Sequence, residues 1–476
     1  MHSLAWRRRS WCWLLALGGA SAGAQEAVLG HAQAQQKAAI SLAQDIWEFA
    51  ELGYLEKRST RRLQQFLKKR GFRVEVNLAD MPTAFVASSG SGKPVIAILA
   101  EFDALPGLSQ SATPTRNPIV DGAPGHACGH HLFGAASASA GAAIASWLEA
   151  TGRSGTVRVY GTPAEEGGSG KVYLTRAGVF DDVDVVLHWH PGSRNDASPS
   201  SSTANKSARF TFHGIAAHAA AAPDRGRSAL DGVEAMNFMV NLMREHVPSD
   251  SRIHYIITDG GAAPNIVPET AQVYYYVRHP SADMALALFE RVVATARAAA
   301  LGTGTEMDYE VMHANYPLLP NETLARKVHA NLVSLGGISY TDDEEQFART
   351  IRASLLGALP PLESAGQVQP FEFRQNMGST DVGDVSWNVP TVGFSTATWV
   401  PGTSAHSWQA VAAGGMSIGH KGMLLAVKLL ALTASDLYQD PHLIRAAREE
   451  LIRRQGENFE YSALLGDRDP PLDYRL

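Results

Sequence analysis

Apolar positions along the chain follow two different periods. Residues 33–52 (AQAQQKAAISLAQDIWEFAE) repeat their apolar side chains every third or fourth position, which predicts an amphipathic helix. A basic helix follows over residues 59–70 and stops at Gly71. FRVEVNL (72–78) alternates as a half-buried strand does, whereas PVIAILA (94–100) is apolar without a break and fits a strand buried on both faces. Residues 131–149 (HLFGAASASAGAAIASWLE) predict a helix of small residues able to approach a sheet closely, and TVRVYGT (156–162) and VDVVLHWH (183–190) read as further strands. This alternation predicts an α/β domain with a mixed, largely parallel sheet, whose ligand sites gather at the C-terminal ends of its strands.

The pattern changes near residue 204. KSARFTFHG is a strand, residues 228–246 a helix, RIHYIIT (252–258) and AQVYYYVR (271–278) strands, residues 282–300 a helix and EMDYEVMH (306–313) a strand. The order β-α-β-β-α-β is that of a small two-layer α+β unit. It is read as an insertion over residues 204–315, dividing the host domain into residues 25–203 and 316–476. A long apolar helix covers residues 417–438, and the tail DRDPPLDYRL reads as loose.

The length of 476 residues allows two domains, and 45% hydrophobic with 18% charged residues is ordinary for a soluble globular protein. A net charge of −6 without a long basic run argues against nucleic acid as a partner. Residues 1–24 read as a cleavable signal peptide: Arg7, Arg8 and Arg9, then the apolar WCWLLALGG, then Ala22-Gly23-Ala24 in a small-x-small cleavage pattern. Arg8-Arg9 also resembles a twin-arginine signal. The expected location is the periplasm or the exterior, with no membrane span in the mature chain. Of the two cysteines, Cys12 lies in that leader, so Cys128 has no internal disulfide partner. It is then an inert buried thiol, an intermolecular bridge or a metal ligand.

Candidate chemistry sits in four stretches placed at strand ends: HACGHH (126–131), GTPAEEGGSGK (161–171), LHWHP (187–191) and GTSAHSW (402–408). Two adjacent carboxylates, Glu165 and Glu166, after a buried strand repel each other unless a cation or a shared proton relieves them. GGSGK is not a phosphate loop, because Glu165 stands where that motif needs glycine and Val172 where it needs Ser or Thr. His188 and His190 alternate on one strand and share a face. A cysteine, several histidines and a glutamate pair at one sheet end fit a two-metal site. Thiolate and imidazole favour zinc, with manganese as the alternative.

EFDALPG, GHACGHHLFGAA, GTPAEEGGSGK, FDDVDVVLHWHP, GIAAHAAAAPDRGRSALD, GSTDVGDVSW and HKGMLLA together resemble the M20 metallopeptidase/amidohydrolase family, in its branch of aminoacylases and auxin-conjugate hydrolases. The resemblance covers about residues 35–440. It implies two divalent ions held by Cys128, His130, Glu166, His190 and His406, with Glu165 as general base and Asp103 behind the site. Glu101 stands where other branches keep a metal-binding histidine, and the roles of His126, His131 and His188 stay open. The inserted unit becomes a lid and dimerisation domain whose His218 reaches the partner subunit's active site and polarises the scissile carbonyl. Asn265 and Arg278 match residues that grip a substrate carboxylate. The implied activity is amide hydrolysis of an N-acyl amino acid, an aroyl-glutamate such as p-aminobenzoyl-glutamate first, with aminoacylase or dipeptidase activity as the alternative. The implied assembly is a homodimer or a heteromer with a homologous A-type subunit. A catalytically inactive periplasmic metal-binding protein is the rival of another class.

Overall fold

The computed structural model describes residues 25–475; the signal peptide expected over residues 1–24 lies outside the described residues. The strands in chain order are β1 (Arg73–Val76), β2 (Phe85–Ser91), β3 (Val95–Ala100), β4 (Gly155–Gly161), β5 (Val185–Gly192), β6 (Ser200–Ser201), β7 (Ala204–His213), β8 (Arg252–Asp259), β9 (Thr270–His279), β10 (Glu306–Asn315), β11 (Arg374–Gln375) and β12 (Thr391–Ala397). The main sheet runs β1-β2-β4-β3-β5-β12. Its β4-β3-β5-β12 part is parallel, and β2 pairs antiparallel with both β1 and β4. The sheet is thus mixed and largely parallel.

β3 is buried at every position, as its unbroken apolar run requires. The helix His130–Thr151 packs on β3, β4 and β5 and against the long helix Ser417–Gln439. Small residues make this approach possible. A Cβ on Gly134 would stand 2.7 Å from the Glu101 carbonyl, and one on Gly141 would collide with Val159. Ser417–Gln439 is apolar and long enough to cross a bilayer, but it is mostly buried in this core.

The second sheet is antiparallel, ordered β10-β7-β9-β8, and carries the helices Ala229–Met243 and Ala282–Thr303. The chain order is β-α-β-β-α-β. Both helices start at serine caps, with Ser228 accepting from Asp231 N at 3.1 Å and Ser281 from Met284 N at 3.4 Å. Phe210, Phe212, Tyr275 and Val277 belong to a hydrophobic cluster separate from that of the main sheet. This lid leaves apolar side chains exposed: Phe238 and Leu242 on a helix, Ile256 and Ile257 on the edge strand β8.

Two expectations are corrected. The helix expected over residues 33–52 breaks at a turn at Gln35, resumes over Gln36–Phe49 and ends at a left-handed Ala50 (φ 43°). The tail is not loose. Arg468 bonds Met312 O at 2.8 Å and Glu310 at 2.7 Å, and Tyr474 packs edge-on against Tyr54 at 5.7 Å. One aromatic contact and the arginine hydrogen bonds hold a segment whose composition is otherwise polar.

Candidate metal and catalytic centre

The C-terminal ends of the parallel strands converge on one cavity of about 710 Å³. β3 leads directly into Glu101 and Asp103, β4 into Glu165 and Glu166, and β5 carries His190. The loop after β12 brings His406, whose backbone N donates to Ala127 O at 2.9 Å and so ties the two loops together. His130 opens the long buried helix, whose N-terminal dipole end favours negative charge beside it. Gly129 before it has φ 77° and touches Pro191, which leaves no room for a side chain.

The donor atoms form two triads that share a thiol. Cys128, His130 and His190 make one and Cys128, Glu166 and His406 the other, with the atoms of each within 4.8 Å of one another; Glu101, His130 and Glu165 form a third such group beside them. Cys128 Sγ is 3.4 Å from His190 Nε2, and Glu166 Oε1 is 2.9 Å from His406 Nε2. The far nitrogens are pinned by the protein: His130 Nδ1 lies 2.8 Å from Asp103 Oδ1, and His190 Nδ1 2.8 Å from Pro191 O. Such outer partners fix a metal-binding imidazole. His130 Nε2 is buried and makes no hydrogen bond, although Glu101 Oε2 lies 3.1 Å away, and burying such an orphaned atom is costly without a ligand. These residues fit a pair of divalent ions: sulfur and nitrogen in one triad, sulfur, oxygen and nitrogen in the other.

Electrostatics separate the two glutamates. Desolvation, then repulsion from Glu101, Glu166 and Asp381, pushes the Glu165 carboxyl well above the usual range, with Lys171 offsetting part. Burial also opposes ionisation of Glu166, but the hydrogen bond from His406 and the charge on His130 outweigh it and hold its pKa below the usual value. A raised acid next to a lowered one gives two carboxylates suited to different tasks, proton transfer and cation binding.

Sequence reasoning missed the group beneath them. Lys171 is fully buried, its Nζ 2.7 Å from Glu101 Oε1 and 2.7 Å from Asp381 Oδ1. It neutralises acids that would otherwise crowd Glu165. Its signal was a lysine inside a stretch of small and apolar residues, a cation with no solvent to face. Arg194 and Arg374 also line the cavity and went unnoticed, being dispersed single residues.

Arg278 lines the same cavity from β9, with its Nε unpartnered and its guanidinium 5.3 Å from the Tyr276 ring centre. His218 and Asn265 do not line it. Both are exposed on adjoining lid loops, where His218 pairs with Ile266 and Ala219 N donates to Asn265 O at 3.0 Å. His218 Nδ1 accepts from the backbone N of Ala220 and Ala221, both at 3.2 Å, so the neutral ring carries its proton on Nε2. His126 and His131 bond the carbonyls of Ile46 (3.0 Å) and Gly414 (3.1 Å) and serve the core. His188 is buried against Gly393, where a Cβ would collide with its ring, and burial holds its pKa down to about 3.

A family model described as the peptidase dimerisation domain matches residues 202–303. Across 447 residues the chain is 40% identical to the B-type subunit of p-aminobenzoyl-glutamate hydrolase from Escherichia coli K12, covering 88% of this chain and 92% of that protein. It is 32% identical to a Xaa-Arg dipeptidase of Mus musculus over 86% of this chain and 88% of that one. A dinuclear metal-binding peptidase of Bacillus subtilis from the M20 family shares the fold at a TM-score of 0.58 and 18% identity, over 86% of this chain and 99% of that one. The chain belongs to the M20 peptidase family and is a metal-dependent hydrolase of the amidohydrolase class.

Proposed function

We propose that the enzyme cleaves the amide bond of an N-acyl amino acid with a free carboxylate, an aroyl-glutamate such as p-aminobenzoyl-glutamate. One observation carries this reading: a single cavity is lined by Cys128, His190, Glu166 and His406 of the two triads, by Glu165 and by Arg278, whose Nε is unpartnered. Arg194 and Arg374 flank Asp196 in the lining, at 3.7 and 3.0 Å, so these three groups leave one net positive charge there, which suits a second carboxylate as in glutamate. The name of the 40% identical relative agrees with that choice.

Two divalent ions, zinc by the sulfur and imidazole donors, supply Lewis acidity and acidify water when bound. Glu165, partly desolvated, takes the proton of the attacking water and hands it to the leaving amine. Arg278 orients the substrate through a charge-assisted bond to its carboxylate. His218 and Asn265 act in a second subunit's cavity, where His218 Nε2–H donates to the scissile carbonyl oxygen as it gains charge. The exposed edge β8 and the neighbouring Phe238 and Leu242 support pairing through the lid. The leader-like residues 1–24 support export, so the substrate would be met outside the cytoplasm.

The test is a hydrolysis panel on the purified mature chain with added Zn²⁺ or Mn²⁺. It compares p-aminobenzoyl-glutamate, its glutamine counterpart, N-acetyl amino acids and Xaa-Arg dipeptides. The expected result is the highest kcat/KM on the glutamate conjugate. Equal rates on glutamate and glutamine conjugates would remove the second-carboxylate argument, and a preference for Xaa-Arg would move the substrate to the dipeptide class.

A further inference from the structure

The turn carrying Glu165 and Glu166 has irregular backbone. Ala164 and Ser169, neither a glycine, adopt left-handed conformations at φ 56° and 58°, and Gly167 at φ 86° interrupts the helical geometry between them. Such conformations persist where the surroundings over-determine them. Most of this turn is held by residues near the site. Glu56 accepts from Ala164 N at 2.9 Å, Asp103 from Glu166 N at 2.9 Å, and the Tyr54 hydroxyl donates to Gly168 O at 2.7 Å.

The carbonyl of Glu166 is held from far along the chain. The Tyr474 hydroxyl donates to it at 3.0 Å and Arg475 Nη2 at 2.7 Å. Arg475 also lies over the Tyr474 ring, 4.8 Å from its centre, and Gly53 leaves room for the Tyr474 hydroxyl that any side chain would occupy. Upstream, Arg176 Nη1 donates to the carbonyls of Gly466 (2.7 Å) and Arg468 (2.9 Å). Arg468 in turn reaches Met312 O at 2.8 Å and Glu310 at 2.7 Å on β10 of the lid. One segment therefore links the last lid strand to the peptide group that carries the Glu166 carboxylate.

We infer that Tyr474 and Arg475 are positioning residues for the metal centre: by holding the Glu166 carbonyl they set the angle at which the Glu166 carboxylate enters the cavity, and residues 466–475 act as a strap from lid to catalytic turn. Rotation of the Glu166–Gly167 peptide would shift the Glu166 backbone from which its carboxylate projects, and glycine at 167 offers little resistance to it. The two donors supply that resistance, one of them charge-assisted. The roles given to Glu165 and Glu166 rest on the proposed function.

The test uses the full mature chain with Tyr474→Phe, Arg475→Ala and Arg475→Lys. Three quantities are read: kcat and KM separately, Zn²⁺ affinity by competition with a chromophoric chelator, and the thermal midpoint of the metal-free protein. Tyr474→Phe and Arg475→Ala should each lower kcat and weaken Zn²⁺ binding about tenfold, with KM nearly unchanged, as outer-shell substitutions do. Arg475→Lys keeps a cationic donor and should recover most of both. A lower thermal midpoint with unchanged kcat and Zn²⁺ affinity would make the strap merely structural and overturn the inference. A wild-type protein that binds Zn²⁺ but hydrolyses nothing in the panel would sink the proposed function instead, and the affinity measurements would still decide the strap.

Discussion

At the sheet ends, Cys128, His130, Glu166, His190 and His406 converge within one subunit, and the far ring nitrogens of His130 and His190 are already bonded to Asp103 and Pro191. On the lid, His218 and Asn265 stand exposed and are held by backbone contacts. The two regions differ because burial does. A buried imidazole or carboxylate must have partners or it destabilises the fold, so the metal pocket has to be organised before any ligand arrives. An exposed lid loop is under no such demand and can keep donors unspent for another chain.

Breaking the pre-organised half should have the largest effect. Glu165→Gln removes the proton carrier while conserving shape, so kcat should fall on the order of 10²- to 10⁴-fold. The metal content, measured by elemental analysis, should stay at the wild-type level, because both Cys128 triads are untouched and glutamine keeps an oxygen donor beside Glu101 and His130. Turnover near wild type would remove it from the mechanism.

The lid half predicts a smaller loss with a distinctive remedy. His218→Ala deletes one oxyanion donor and should lower kcat roughly 10²-fold. Mixing His218→Ala with Glu165→Gln subunits should then restore activity to about a quarter of wild type at full exchange in a two-fold dimer, since half the dimers hold one intact site. No recovery after verified exchange would mean that His218 does not serve a second copy of this chain, and would favour a different partner subunit.

Metal binding sharpens the contrast through pH. Burial pushes the Cys128 thiol well above its ordinary range. Burial opposes a charge on His130, but Cys128, Asp103 and Glu101 outweigh it and hold that imidazolium well above its usual pKa. Whichever of the two carries it, the Cys128–His130 pair therefore holds a proton that it must release to ligate as thiolate and neutral imidazole. Affinity should rise with pH, about tenfold per unit for each proton released. Zn²⁺ titrations one pH unit apart, in buffers of different ionisation enthalpy, measure this directly. A pH-independent affinity would show that the ligands are already deprotonated.

Much of the fold was legible because its signals are local. PVIAILA demanded a doubly buried strand, and the period change near residue 204 marked a different sheet. The candidate metal-binding cluster was legible because thiol, imidazole and carboxylate crowd into short strand-end motifs. Lys171, Arg374 and Tyr474 were not, since each acquires meaning through residues far away in sequence: Asp381 for Lys171, Asp196 for Arg374 (3.0 Å), Glu166 for Tyr474. β2 also escaped, being a short stretch rich in serine and glycine whose pairing with β1 and β4 makes it a strand.

The smallest effect is expected one residue from one of the largest. His130 and His131 are adjacent and both buried, and by composition they are equal candidates. Their partners differ: His130 turns an unpartnered Nε2 toward the metal pocket, while His131 Nε2 bonds Gly414 O and its ring lies 5.0 Å from that of His126. His131→Leu leaves that carbonyl unsatisfied and should destabilise the fold by about 1–3 kcal/mol. Metal content and kcat should stay within about twofold of wild type, since the substitution removes no ligand, whereas His130→Leu deletes one and should lose metal. Denaturant melts with metal analysis on both variants separate the two roles. Loss of metal from His131→Leu at a denaturant concentration where it remains folded would place that ring among the ligands and erase the distinction drawn between neighbours.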